Sequence, residues 1–368
     1  MQRYDLLTGA AAFWARAERD IAAARRRVLV QAMTFEGDAA GLPVAAALAG
    51  AAAPDRRLLV DDYSRHVTSQ TLLALPFRSA AVRDEARATR AMFDRLVAAG
   101  VGLRITNPVG RNPLRFPLRN HKKALVVDDV AYLGGINFSD HNFAWDDLMV
   151  RIADPAAADF LAADFARDWA GRPAAAAGRF GPATLLTLDG DSNEAALGPL
   201  LALFAGARKS IELVGAYPTL PFVQAAARAA QRGAAVTIHT PGPTNKPIVR
   251  DYLAATAPGA RIALRLLPRM THTKAALIDG ERLVVGSVNF NFASYRTNGD
   301  LLAIIDDPAL VAAFEARVLV PARAAGRPIA RSDTPAWRRW RARLALPLAD
   351  AALPRLRHQR PRIAVWPL

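Results

Sequence analysis

Apolar positions in this chain come in short unbroken runs separated by longer alanine- and leucine-rich stretches, and their order repeats. In the N-terminal half Ala24-Arg25-Arg26-Arg27 leads into Val28-Leu29-Val30-Gln31-Ala32-Met33, a helix-like stretch starts at Leu42, and Leu58-Leu59-Val60 follows. In the C-terminal half Ala207-Arg208-Lys209-Ser210 leads into Ile211-Glu212-Leu213-Val214, a helix-like stretch covers 222–232, and Ala235-Val236-Thr237-Ile238 follows. Ala124-Leu125-Val126-Val127 and Ala275-Ala276-Leu277-Ile278 are apolar runs bounded by charge. Such runs predict strands buried on both faces, as in an α/β sheet. Each half reads strand, helix, strand and then a later strand, an internal repeat that frames everything else. The Gly/Ala/Pro-rich stretch over 171–181 predicts the joint, giving units at 1–175 and 182–325 and a tail over 326–368.

The later strand of each half carries the same phrase. His121-Lys122-Lys123-Ala124-Leu125-Val126-Val127-Asp128 and His272-Thr273-Lys274-Ala275-Ala276-Leu277-Ile278-Asp279 both read H-x-K-x-x-x-x-D. Each runs on into small residues and an asparagine, Gly134-Gly135-Ile136-Asn137 and Gly286-Ser287-Val288-Asn289. In an extended segment, positions i and i+2 share a face, so each strand presents an imidazole and an ammonium side by side. One copy would be a weak signal; two in equivalent places are a strong one.

Charge sharpens the picture. The formal net charge is +15, and only five of the 48 basic residues are lysine. Keeping Lys at both motif positions of an arginine-rich chain points to a need for a compact point charge. Two His, two Lys and two Asn suit a phosphodiester broken and remade through a phosphohistidine. Lys123 and Lys274 would hold the non-bridging oxygens, with Asn137 and Asn289 adding donors. One imidazole would attack phosphorus while the other supplies a proton to the leaving alkoxide. Each histidine also needs a carboxylate on its far nitrogen; Asp146, Asp147 and Asp300 stand downstream of the motifs. This chemistry calls for no cofactor, and no metal-ligand cluster stands out. His66, His141, His239 and His358 read as surface or core residues.

These phrases resemble the phospholipase D superfamily over about residues 24–306, and within it the bacterial cardiolipin synthases and related phosphatidyltransferases. Asn107-Pro108, the basic loop to Arg119-Asn120-His121, Leu133-Gly134-Gly135-Ile136-Asn137 and Trp145-Asp146-Asp147 are similar to that branch. The resemblance implies two tandem α-β-α sandwich domains related by a pseudo-two-fold axis, with the active site at their interface. It implies His121 as nucleophile and His272 as acid/base. Asp147 and Asp300 are the implied partner acids, Asp300 facing His272 and one methylene shorter than the glutamate usual there. Asp128 and Asp279 complete the motif set, with a part more structural than catalytic. A monomer holding both motifs can build a whole site.

Composition bounds the rest. Hydrophobic content of 52% with 22% charged residues is globular, and the absence of Cys fits a reducing compartment. The N-terminus lacks a signal pattern and no run is long enough to span a bilayer, so a cytoplasmic protein, peripheral at the inner face of the cell membrane, is expected. Asp333-Thr334-Pro335 predicts a helix start, with Trp337, Trp340 and Leu344 on one face among arginines. From Arg323 onward there are eleven arginines and two aspartates. This basic, Trp-bearing tail suits an anionic membrane surface. The expected substrate is an anionic phospholipid, phosphatidylglycerol first, with a lipid alcohol as acceptor. A phospholipase D hydrolase uses the same residues with water. A nuclease is less favoured, because aromatic content is only 7% and single-strand binders add stacking rings to a basic groove.

Overall fold

The computed structural model describes residues 3–74, 79–329, 333–359 and 363–367; Arg331, Arg360 and Arg362 of the tail lie outside these. Two mixed sheets organise it. The first has eight strands in the order Tyr4–Thr8, Leu148–Ala153, Val130–Gly134, Ala124–Val127, Arg27–Ala32, Asp55–Asp61, Gly102–Thr106 and Ile363–Val365. The second has nine: Ala176–Phe180, Ala183–Thr187, Leu301–Ile305, Arg282–Gly286, Lys274–Ile278, Ser210–Gly215, Ala235–Pro241, Ile262–Leu267 and Arg327–Pro328. Without the edge strands Ala176–Phe180, Arg327–Pro328 and Ile363–Val365, the two sheets have the same order and strand directions. In each, the three strands named earliest from the sequence pattern or following it run parallel, and the motif strand is antiparallel to its neighbours.

The unbroken apolar runs are buried on both faces, as expected. Val28, Val30, Leu58, Val60, Leu125 and Val127 pack under the helices Ala10–Ala23, Gly41–Gly50 and Ala80–Ala98. The alternate residues Leu29, Leu59 and Val126 point the other way, into a core shared with Val214, Ala275, Leu277 and Val285 of the second half. Helices Pro155–Trp169 and Pro308–Phe314 join that shared core. The two halves therefore bury apolar surface against each other as well as within themselves, which fixes their relative position.

Three expectations need correction. The motif strands begin at Ala124 and Lys274, so both histidines sit on the extended approach rather than inside the ladder. The predicted joint contains an edge strand of the second sheet, Ala176–Phe180, because it pairs with Ala183–Thr187. The tail is not a separate appendage: Arg327–Pro328 pairs with Ile262–Leu267, and Ile363–Val365 returns to pair with Gly102–Thr106 in the first half.

The tail helix runs Ala336–Ala352. Pro335, extended at ψ 143°, occupies the cap position, and no side chain caps the helix, so Pro335 lies just outside the first turn rather than in it. Ala342 and Leu346 bury against the helix Pro247–Thr256, and Arg338 pairs with the buried Asp251 at 2.9 Å. Trp337 and Trp340 face outward at 61% and 67% exposure, and Leu344 and Leu348 continue their stripe. Among the described residues, no helix is long and apolar enough to cross a membrane.

Candidate active site

The site begins with Asp61, which ends the strand Asp55–Asp61 fully buried. Its carboxylate takes Arg119 Nη1 at 2.7 Å and the Asn120 amide at 2.6 Å. Arg119 also holds the carbonyls of Asn107 and Arg115. One strand end thus pins the loop that delivers His121. Lys122 points away from the site into a buried network, its ammonium on Asp164 at 2.8 Å and Asp168 at 3.0 Å.

Each half then clasps the other. The His121 amide donates to the Gly299 carbonyl at 2.7 Å and the Gly299 amide to the Arg119 carbonyl at 2.9 Å. In mirror fashion the His272 amide donates to the Asp146 carbonyl at 2.7 Å and the Asp146 amide to the Met270 carbonyl at 3.1 Å. The next residue of each acidic loop is the partner carboxylate, so the pairing crosses between halves. His121 Nδ1 lies 2.9 Å from Asp300 Oδ1, and His272 Nδ1 lies 2.7 Å from Asp147 Oδ2. The expected contact between His272 and Asp300 within one half is therefore corrected: backbone exchange across the interface seats each acid under the opposite histidine. Asp146 itself pairs outward with Arg269 at 3.4 Å.

Both imidazoles open into one cavity of about 360 Å³, whose lining includes Asn137, Asn289, Trp145, Tyr217, Arg119 and Lys246. Asn289 Nδ2 is 3.4 Å from His121 Nε2. Because Asp300 accepts from Nδ1–H, the pattern assigns His121 a bare Nε2 facing the cavity. The Thr34 amide donates to Asn137 Oδ1 at 3.1 Å. Lys123 and Lys274 are almost fully buried beneath, each donating to the carbonyl of its own motif histidine. Asp128 and Asp279 do not reach the site. Asp128 accepts the amides of Arg25, Arg26 and Arg27, and Asp279 those of Arg208, Lys209 and Ser210. They tie the end of the motif strand to the start of its neighbour, a structural part away from the cavity.

Electrostatics separate the groups. Burial and the Lys123 ammonium push His121 down to about 4. Burial and the Lys274 ammonium hold His272 well below its usual value. Lys274 is lowered to about 8 by burial, and Lys123 falls well below its usual range through burial and repulsion by Lys274. The acids differ: burial raises Asp147 to about 7, whereas Asp300, despite burial, is lowered by His121 and Ser287.

Sequence reading passed over several lining residues. His141, set aside as a surface or core residue, faces the cavity with its ring 5.0 Å from Trp145, which in turn lies 5.4 Å from His272. Tyr217 flanks His272 from another side at 6.0 Å. Trp145 stood beside a quoted motif, and Tyr217 lies in Gly215-Ala216-Tyr217-Pro218, only loosely like the family's aromatic-proline phrase, but nothing in local sequence signalled His141. Leu353, just past the tail helix, lines part of the cavity.

Comparison with known proteins agrees with this architecture. A family model described as "Cardiolipin synthase, PLD-like domain" matches residues 18–169 and 200–318. Cardiolipin synthase A of Pectobacterium carotovorum is 28% identical over 227 residues, covering 52% of this chain and 46% of that protein. Cardiolipin synthase A of Yersinia pseudotuberculosis is 29% identical over 224 residues, with the same coverage. The chain thus spans about half the length of the curated relatives it matches. Phosphatidylserine synthase of Haemophilus influenzae superposes with a TM-score of 0.72 over 96% of this chain and 95% of that one, at 14% identity. Polyphosphate kinase of Porphyromonas gingivalis superposes with a TM-score of 0.61 over 90% of this chain and 49% of that one, also at 14% identity. Two halves of one α/β fold, each carrying the motif and each seating the other's acid, together with the match to both segments, place this chain in the cardiolipin synthase, phospholipase D-like domain family.

Proposed function

We propose that the chain is a phosphatidyltransferase of the cardiolipin synthase type, working through a phosphohistidine on His121. The observation that carries it is the pair of buried histidines in one cavity, each with its far nitrogen on a carboxylate from the opposite half. His121 Nε2 attacks the phosphorus of a phospholipid such as phosphatidylglycerol. The bond to the headgroup oxygen breaks, and that oxygen takes a proton from the His272–Asp147 pair. A lipid alcohol then gives its proton to His272 and attacks the same phosphorus; the P–N bond breaks and His121 is restored. Lys123 and Lys274, brought together beneath the histidines, offset the charge that builds on the equatorial oxygens. Asp300 stays ionised, which suits the partner of a nucleophile. Asp147, near 7, lets its pair hold a proton at neutral pH, which suits an acid/base.

Incubating the protein with phosphatidylglycerol vesicles and analysing products by mass spectrometry tests this. Cardiolipin and free glycerol from wild type, absent with His121→Ala, are expected. Phosphatidic acid alone would make the protein a hydrolase, and no His121-dependent lipid product would end the reading.

The same reading places the protein at the inner face of the cell membrane through its tail. Trp337, Trp340, Leu344 and Leu348 form an exposed apolar stripe among arginines, and the chain leaving that helix lines the cavity at Leu353. A Trp337→Ala/Trp340→Ala variant alters no core contact and should weaken sedimentation with anionic vesicles about tenfold or more. Unchanged sedimentation would remove the tail from membrane binding.

A further inference from the structure

Three side chains that line the cavity belong to Asp/Glu/Lys/Arg types, and two are already committed. Glu36 is held protonated by burial, pushed up to about 9, and Arg119 is paired with Asp61 at 2.7 Å. Lys246 is different. The residue is exposed overall, burial around its ammonium lowers its pKa from the usual lysine value, and no carboxylate among the described residues acts on it. The other four lysines have evident tasks, two in the motifs, Lys122 in its buried network and Lys209 on Glu281.

Its position is built rather than casual. Lys246 follows the carboxyl end of Ala235–Pro241, the edge of a parallel sheet where ligands are met. Its Nζ sits 4.6 Å from the Tyr217 ring centre, and that ring centre lies 6.0 Å from the His272 ring. Tyr217 donates its hydroxyl to Asn245 at 2.7 Å, and Asn245 donates to Gln70 of the first half at 2.8 Å, which ties the loop down. An ammonium with no carboxylate partner among the described residues thus shares the Tyr217 ring as a neighbour with the proposed acid/base.

Transfer to a phospholipid alcohol brings two phosphates into one cavity. The reacting phosphate lies over His121 and the motif lysines. The second belongs to the acceptor, a few bonds from the hydroxyl that His272 must deprotonate, and so enters on the His272 side. We propose that Lys246 binds the phosphate of the incoming acceptor and selects phosphate-bearing alcohols over neutral ones. This rests on the phosphatidyltransferase reading above.

A single competition tests it. Phosphatidylglycerol vesicles are supplied with 1-butanol, so the same phosphatidyl-enzyme is resolved either by an anionic lipid alcohol, giving cardiolipin, or by a neutral one, giving phosphatidylbutanol. The ratio of the two products cancels every donor-side and folding effect. Lys246→Gln should lower the cardiolipin to phosphatidylbutanol ratio about tenfold, the scale of one charge-assisted contact, and Lys246→Arg should restore most of it. A wild-type product mixture whose ratio is unchanged in Lys246→Gln would overturn the proposal alone. No His121-dependent product from wild type would overturn it together with the function it rests on.

Discussion

The two acids of the site occupy equivalent positions in their halves, yet their surroundings differ, most directly at one side chain. Asp300 accepts from Ser287 Oγ at 2.6 Å. The corresponding residue in the other half is Gly135, and a Cβ there would lie 2.2 Å from Asp147 Oδ1. Asp147 therefore packs into the space a side chain would fill; among the described residues its hydrogen bonds are with the Leu148 amide at 2.8 Å and His272, and the Lys274 ammonium stands off at 4.0 Å. The hydroxyl helps to keep Asp300 ionised, while burial with fewer donors raises Asp147 to about 7. A duplicated site has thus been made asymmetric, and the asymmetry suits one histidine to attack and the other to carry a proton.

The largest expected effects break the symmetry outright. His121→Ala and His272→Ala should each reduce turnover of a phospholipid by about 10⁴-fold or more, as for other members of a catalytic unit. The two should part company on a phosphodiester with a nitrophenolate leaving group, which needs no proton to depart. His272→Ala should then still release a burst of nitrophenol, and His121→Ala should not. A burst from His121→Ala would reverse the assignment.

Next come the acids. Asp300→Asn should lower kcat by about 10²- to 10⁴-fold, because an amide cannot stabilise the charge that develops on His121. Asp147→Asn should leave a smaller residue of effect and a distinctive pH signature. Activity of wild type should fall below about 4 as His121 takes up a proton, and above about 7 to 8 as Asp147 gives up its proton and Lys274 its charge. With Asn at 147 the Asp147 limb has no group to produce it, and the Lys274 limb should move below about 8, because the carboxylate that raises Lys274 is gone. A pH–rate profile of both proteins decides this.

Much of this site was legible beforehand, and the part that was not has a physical reason. The duplicated phrase marked His121, Lys123, His272 and Lys274, because two strands must carry the same groups to the same phosphate. The apolar runs gave the sheets, because burial on both faces leaves no polar alternation. The crossed acid pairs were not readable. They join residues 179 and 125 positions apart and follow from backbone exchange between loops of different halves. Lys122, next to a motif lysine, is set apart by the spacing, since Thr273 stands in its place in the second copy, but its task on Asp164 and Asp168 is visible only in the structure. Likewise the return of Ile363–Val365 to the first sheet depends on where the tail helix ends, which composition does not encode.

A gentler change tests the side chain that distinguishes the halves. Ser287→Ala removes one donor from a buried carboxylate and should lower kcat about tenfold, the scale of a single charged hydrogen bond. Gly135→Ala puts a methyl group against Asp147 and should cost more, since backbone and acid must both move. If Ser287→Ala is silent and Gly135→Ala equally so, the asymmetry has no catalytic content.

The smallest effect belongs to the residues that the motif contains and the cavity does not. Asp128 and Asp279 hold three backbone amides each and have φ of 47° and 56°, a left-handed turn that Asp tolerates. Replacing either by Ala removes the acceptor and strains the turn, which should lower stability by about 1–3 kcal/mol in denaturant unfolding. At a temperature where the variant remains folded, kcat should stay within about twofold of wild type, because no motif histidine or lysine contacts either acid. Asn at these positions keeps a carbonyl acceptor and the turn, and should recover most of the loss. Should Asp128→Ala instead lose activity on the scale of Asp147→Asn while unfolding normally, the division between a strand-end tie and a catalytic acid would fail, and the whole eight-residue phrase would have to be treated as one chemical unit.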